Sequence, residues 1–96
     1  MSELLNATVE VPEHVVHREF PNETVVLNLQ TGMYHGLNRV AGRMLQELQN
    51  QATVGAAANL IAAESGHAPA DVERDICELC LQLSERGLIS LAYDPS

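Results

Sequence analysis

The sequence predicts an α+β domain of winged-helix type, in which a three-stranded antiparallel sheet precedes three helices. The first observation is the run from Thr24 to Gln30, whose alternating sides are typical of a strand with one buried face. The second is the change at Val40, after which apolar residues recur every three or four positions, as in amphipathic helices. With 96 residues, the chain is long enough for one domain with its own core.

The three strands are expected at residues 14–20, 24–30 and 33–37. The two sides of the central strand carry Val25, Leu27 and Leu29 on one side and Thr24, Val26, Asn28 and Gln30 on the other. Gln30-Thr31-Gly32 supplies the hairpin turn that follows, because Gly32 can adopt a positive φ without a Cβ clash. The result is an antiparallel meander, and its third strand is an open edge unless another segment covers it.

The helices are predicted from their caps and their apolar stripes. Asn38 and Thr53 are N-cap candidates for the first two helices, and Gly66 suits the left-handed residue that ends the second. The third helix opens at residues 68–71 and extends to about Arg86. The predicted core stripes are Ala41, Met44, Leu45 and Leu48 on the first helix, Val54, Ala57, Ala58 and Ile61 on the second, and Val72, Ile76, Leu79 and Leu83 on the third.

Residues 13–92 are expected to form the single domain, with residues 1–12 as a flexible lead-in and residues 93–96 as a tail. The short apolar run at residues 88–91 is expected as a strand or a strap over the core. No apolar run approaches the roughly 20 residues of a membrane span. The acidic N-terminus does not resemble a signal peptide, so a cytoplasmic protein without membrane contact is expected.

The charge and the cysteines exclude some classes of function. The formal net charge of −8 repels nucleic acid, which makes it an unexpected partner. Cys77 and Cys80 form a C-x-x-C motif, which can indicate redox chemistry or half of a zinc site. Because both lie in the middle of a predicted helix without companion ligands, we interpret them as small core residues. We therefore expect no catalytic residue, metal or cofactor, although a thiol-redox or metal protein is an alternative.

A peptide groove is the binding site that the residues favour. On the third helix Leu81 points away from the core stripe, bordered by Arg74 and Glu78, with Cys77 between the two faces. A lone exposed leucine on a solvated face is the simpler alternative. If the open third strand lies beside this helix, however, the two form a groove for an extended peptide that adds as a further strand.

The segment Val26 to Asn38, followed by Val40-Ala41-Gly42, resembles the "VLDLETGRYYGLNxVG" core of the PqqD-like family, also called RiPP recognition elements. Residues 75–89 resemble the closing helix of that family and its "RGLI" exit. The resemblance implies a winged-helix-like fold that binds the leader of a ribosomally made precursor peptide against the third strand and third helix. Transferred by position, the expected peptide-binding residues are Gly32, Met33, Tyr34, His35, Gly36 and Leu37 on the strand. The helix residues, placed by helical geometry, are Arg74, Cys77, Glu78 and Leu81.

The leading hypothesis is therefore a non-catalytic protein that delivers a leader peptide to maturation enzymes. Family resemblance implies the protease and macrocyclase of lasso-peptide synthesis first, and a radical-SAM enzyme, as in PQQ biosynthesis, second. The sequence departs from the family pattern at His35, where a second aromatic residue is frequent, and at Leu45-Gln46. The alternative is a winged-helix transcription regulator that binds DNA, which shares the fold class.

Overall fold

The computed structural model describes residues 2–93 of the chain. The elements in chain order are α1 (Ser2–Leu5), β1 (Thr8–Glu10), β2 (Val15–Phe20), β3 (Glu23–Asn28), β4 (Tyr34–Asn38), α2 (Arg39–Asn50), α3 (Val54–Ser65), α4 (Pro69–Glu85) and β5 (Ser90–Ala92). Strands β2, β3 and β4 form an antiparallel sheet in that order, and three long helices follow it. The predicted fold class is confirmed.

The face of β3 that packs against the helices carries Thr24, Val26 and Asn28, which are all buried. The more apolar side, with Val25, Leu27 and Leu29, faces away from the core, and Leu29 is exposed. Two polar residues are accommodated on the inner face because each makes a specific contact there. Thr24 packs against Gly42 of α2, and Asn28 makes hydrogen bonds to the backbone.

Helices α2 and α3 begin at the predicted N-cap residues, and α3 ends at the predicted glycine. Asn38 Oδ1 accepts a hydrogen bond from Ala41 N at 2.8 Å, and Thr53 Oγ1 accepts one from Ala56 N at 3.1 Å. Each satisfies an N–H group in a first helical turn that has no intrahelical partner. Gly66 has φ +76° at the end of α3, the left-handed conformation that glycine adopts without strain.

The core lies between the inner face of the sheet and helices α2, α3 and α4. Its largest fully buried side chains include Leu48, Ile76 and Leu83, one from α2 and two from α4. The alanines Ala57 and Ala58 of α3 are also buried, which allows α3 and α4 to approach closely. Among residues 2–93, no helix is both long and apolar enough to cross a membrane.

The N-terminal segment differs from the flexible lead-in that was expected for residues 1–12. It contains α1 and β1, and it buries Leu4, Ala7 and Val9 in the core. Strand β1 pairs with β5, so that Val9 lies opposite Leu91. This pairing explains the short apolar run after α4, which was expected as a strand or strap. Of the expected tail over residues 93–96, residues 94–96 lie outside the described part of the chain.

Candidate functional site

Strand β4 is an edge of the sheet, because β3 is its only partner strand in residues 2–93. Asn28 N donates to Met33 O at 2.8 Å next to the turn. Antiparallel ladders alternate between bonded and non-bonded pairs, so His35 bonds to its partner Val26 across the ladder. The backbone N–H and C=O groups of Tyr34 and Gly36 consequently point away from β3. They are the groups that an added strand would bind.

The side chains of β4 alternate between the two faces of the sheet. His35 and Leu37 point inward, and Leu37 is only 3% exposed. Its side chain belongs to the core, which does not favour the expected contact with a peptide; that contact stays a prediction. Tyr34 points outward and is 70% exposed. A Cβ built on Gly36 would meet only Glu23 Oε2, at 3.7 Å, so the outer face has room beside this residue.

The turn between β3 and β4 is organised by Asn28, which the sequence analysis placed on the central strand without a role. Asn28 Oδ1 accepts hydrogen bonds from Gln30 N at 2.9 Å and Thr31 N at 3.3 Å. Its Nδ2 donates to Gly87 O at 3.4 Å, just beyond α4. These bonds end β3 at Asn28, two residues earlier than predicted, and fasten the hairpin to the end of α4. Gly32 has the predicted positive φ, +76°.

His35 faces the C-terminal end of α4. Its pKa is lowered, first by partial burial and second by the positive charge of Arg86. Both effects favour the neutral imidazole. The edge strand therefore carries a partly buried imidazole within reach of the charge of Arg86, the C-cap residue of α4.

A cleft of about 240 Å³ opens where β4 passes into α2, and we refer to it as the α2–α4 cleft. It is lined by Asn38, Val40, Ala41 and Met44 on one side and by Asp75, Glu78, Leu79 and Gln82 of α4 on the other. Met44 and Leu79 are buried and form its floor, whereas Val40 is 61% exposed at its rim. Val40 lies outside the apolar stripe predicted for this helix. An apolar residue off that stripe is the signal in the sequence that could have pointed to the cleft.

The four helix residues predicted to bind a peptide do not all reach this cleft. Glu78 lines it. Cys77 is 3% exposed and packs in the core, which does not favour its predicted contact with a peptide; that contact stays a prediction. Arg74 lies 3.5 Å from Asp71 and 3.6 Å from Asp75 in exposed ion pairs. Leu81 is 50% exposed but does not line the cleft, and its assignment to a peptide site stays a prediction.

The cysteines lie in surroundings that suppress thiolate formation. Burial raises the pKa of the Cys80 thiol to about 12, with a smaller contribution from Cys77. Burial, together with the negative charge of Glu73, also raises the pKa of Cys77. Within residues 2–93 no group of three or more histidine, cysteine or acidic side chains could hold a metal ion. The described site offers backbone groups, a small apolar cleft and carboxylates.

Comparisons with known proteins agree with this architecture. The family model described as "Coenzyme PQQ synthesis protein D (PqqD)" matches residues 23–89. The solved structure "TbiB1 in Complex with the TbiA(beta) Leader Peptide" is 30% identical, with a TM-score of 0.77 over 84% of this chain and 94% of that one. A second structure, "Lasso peptide synthetase B1 complexed with the leader peptide", shares the fold at 24% identity and a TM-score of 0.78, over 86% of this chain and 98% of that one. No curated protein sequence matches.

Proposed function

This chain belongs to the PqqD family, and from that premise we propose that it binds the leader of a ribosomally synthesised precursor peptide without catalysing a reaction. The observation that carries the proposal is the edge of β4, which no strand covers on the side away from β3 among residues 2–93. The likeness of the chain to TbiB1, which was solved with a leader peptide, supports it. The 30% identity to TbiB1 over 94% of that chain supports the same role here.

The proposed mode of binding is the addition of the leader as a fourth strand beside β4. Tyr34 and Gly36 would exchange main-chain hydrogen bonds with the leader, which requires no particular leader sequence. Side chains on one face of the added strand would point toward α4 and the α2–α4 cleft, and those on the other face would lie beside Tyr34. The backbone would then supply affinity, and the cleft would supply specificity.

We further propose that the bound leader is delivered to maturation enzymes in the cytoplasm. The likeness to lasso peptide synthetase B1 proteins supports a leader peptidase and macrocyclase as the enzymes, ahead of a radical-SAM enzyme. The protein has no assigned catalytic step in this scheme. The raised pKa values of both thiols support that assignment, because a buried neutral thiol is a poor nucleophile.

The test removes one outward N–H group and keeps the rest of the site. A displayed library of random peptides is selected on the protein, and the enriched peptides are titrated by fluorescence anisotropy. Tyr34→Pro removes the outward N–H without touching the ladder to β3, and is expected to weaken binding at least about tenfold. Tyr34→Ala keeps the N–H group and is the matched control, with affinity expected within a few-fold of wild type.

Two results would overturn the proposal. The first is a selection that enriches no peptide. The second is an enriched peptide whose affinity is unchanged by Tyr34→Pro while circular dichroism shows the variant to be folded. Equal losses in Tyr34→Pro and Tyr34→Ala would assign the binding to the tyrosine ring and not to strand addition.

A further inference from the structure

We propose that the α2–α4 cleft selects leaders that carry an aliphatic and a basic side chain two residues apart. This inference rests on the proposed function, and it names the chemistry of the leader that the same site takes. Three features of the cleft support the inference: its apolar floor, the charge of its α4 wall and its continuity with the edge of β4.

The α2 side and the floor of the cleft are apolar. Val40 stands exposed at the rim, with buried Met44 and Leu79 beneath it. Covering an exposed valine with another apolar group is favourable, because it removes apolar surface from water. The volume of the cleft is about 240 Å³. One aliphatic side chain of a peptide fits these properties.

The α4 side of the cleft is acidic. Asp75 and Glu78 are three residues apart, so they are neighbours on one helix face, and both are exposed. Within residues 2–93, Glu78 makes no ion pair, and Asp75 makes only a long one of 3.6 Å with Arg74. None of the described residues that line the cleft is a lysine or an arginine. The charge of this wall therefore complements a basic side chain and opposes an acidic one.

The cleft continues the edge where the leader would add. Asn38 is the last residue of β4 and also lines the cleft, two positions after the outward-pointing Gly36. A strand beside β4 therefore reaches the cleft without a turn. Residues i and i+2 of a strand point to the same face, about 7 Å apart. We assign one such side chain to Val40 and the next on the same face to Asp75 and Glu78.

The experiment compares peptide selections on the wild-type protein and on a charge-reversed variant. Wild type is expected to enrich peptides with lysine or arginine two positions from an aliphatic residue. The double variant Asp75→Lys/Glu78→Lys is expected to bind those peptides about tenfold more weakly, and to enrich aspartate or glutamate at the same position. Added salt should weaken the wild-type complex more than that of the same peptide with methionine in place of the basic residue.

The matched control is Glu3→Lys/Glu10→Lys, which makes the same change in net charge on α1 and β1, outside the cleft. It is expected to select the wild-type motif. Two results would overturn this inference and leave the proposed function standing. The first is that the selected peptides bind through the Tyr34 N–H group but show no preference for a basic residue. The second is that their affinity is unchanged by Asp75→Lys/Glu78→Lys. Failure of the Tyr34→Pro test would overturn the proposed function instead.

Discussion

Asn28 shows how one buried polar residue can position an edge strand. Its carboxamide is buried, and it bonds the two backbone N–H groups of the turn before β4 and the carbonyl of Gly87 after α4. The strand edge and the helix are thereby held to each other by one side chain. Gly87 has φ +69°, so the chain leaves α4 in a left-handed conformation that presents its carbonyl to Asn28.

We predict that Asn28→Ala destabilises the protein by about 1–3 kcal/mol, because it removes the hydrogen-bond partner of two N–H groups in the turn and of the Gly87 carbonyl. Urea denaturation followed by circular dichroism measures the change. Asn28→Asp keeps the acceptor for the turn and loses the donor to Gly87, so an intermediate loss is expected. Gln30→Ala, an exposed change in the same turn, serves as the control and should cost little. A loss in Asn28→Ala no larger than that of the control would contradict the role given to this residue.

At the scale of elements, the placement of α2 on β3 depends on a missing side chain. A Cβ built on Gly42 of α2 would lie 2.6 Å from Thr24 Oγ1, closer than real contacts allow, and 3.2 Å from Thr24 Cβ, which is tighter than most real contacts. Helix α2 also lies against β4, and its first turn forms one wall of the α2–α4 cleft. The close approach of the helix to the sheet therefore sets the position of the cleft relative to the strand edge.

We predict that Gly42→Ala destabilises the protein, although alanine is the better helix former by about 1 kcal/mol. Overpacking against Thr24 costs about 1–3 kcal/mol, which outweighs that gain. Thr24→Ala removes Oγ1, so the double variant Gly42→Ala/Thr24→Ala should recover part of the loss in a double-mutant cycle. The measurement is the free energy of unfolding of all four proteins. Additive effects would mean that the two residues do not meet.

At the scale of the whole molecule, the two ends of the described chain close the domain together. Strand β1 pairs with β5, Ala7 O accepts a hydrogen bond from Val54 N at 2.9 Å, and Thr8 Oγ1 donates to Ala52 O at 3.1 Å. The N-terminal segment thus reaches the start of α3 and the strand after α4. Strands β1 and β5 form a sheet of their own, and among residues 2–93 no strand covers the side of β4 that faces away from β3.

We predict that deleting residues 1–12 lowers the free energy of unfolding by several kcal/mol, because it exposes the core around three buried apolar side chains and unpairs β5. A flexible lead-in would instead leave stability unchanged. The single variant Val9→Ala should show a smaller loss, and Glu10→Ala on the same strand is the exposed control. Chemical denaturation of the four proteins measures the difference, and a truncated protein as stable as the full chain would contradict the prediction.

Much of the fold could be predicted because its signals are local. The caps Asn38 and Thr53, the left-handed Gly66 and the helical apolar stripes each depend on residues a few positions apart. The ends of the strands were predicted less accurately. Strand β3 ends at Asn28, whose hydrogen bonds include one to Gly87, 59 positions away in the chain. The role of the N-terminal segment was missed for a similar reason, since its three core residues show no period of their own.

Strands β2 to β4, helices α2 to α4, their order and the family could be predicted from the sequence alone, since hydrophobic period, capping residues and the motif around β4 are properties of neighbouring residues. Only the tertiary structure decided which face of β3 and β4 is buried, and therefore that Leu37 and Cys77 belong to the core. The tertiary structure also places Val40, Asp75 and Glu78 around the α2–α4 cleft, and Leu81 outside it. The physical reason is that side-chain alternation defines two faces, but the helices that pack on the sheet choose between them.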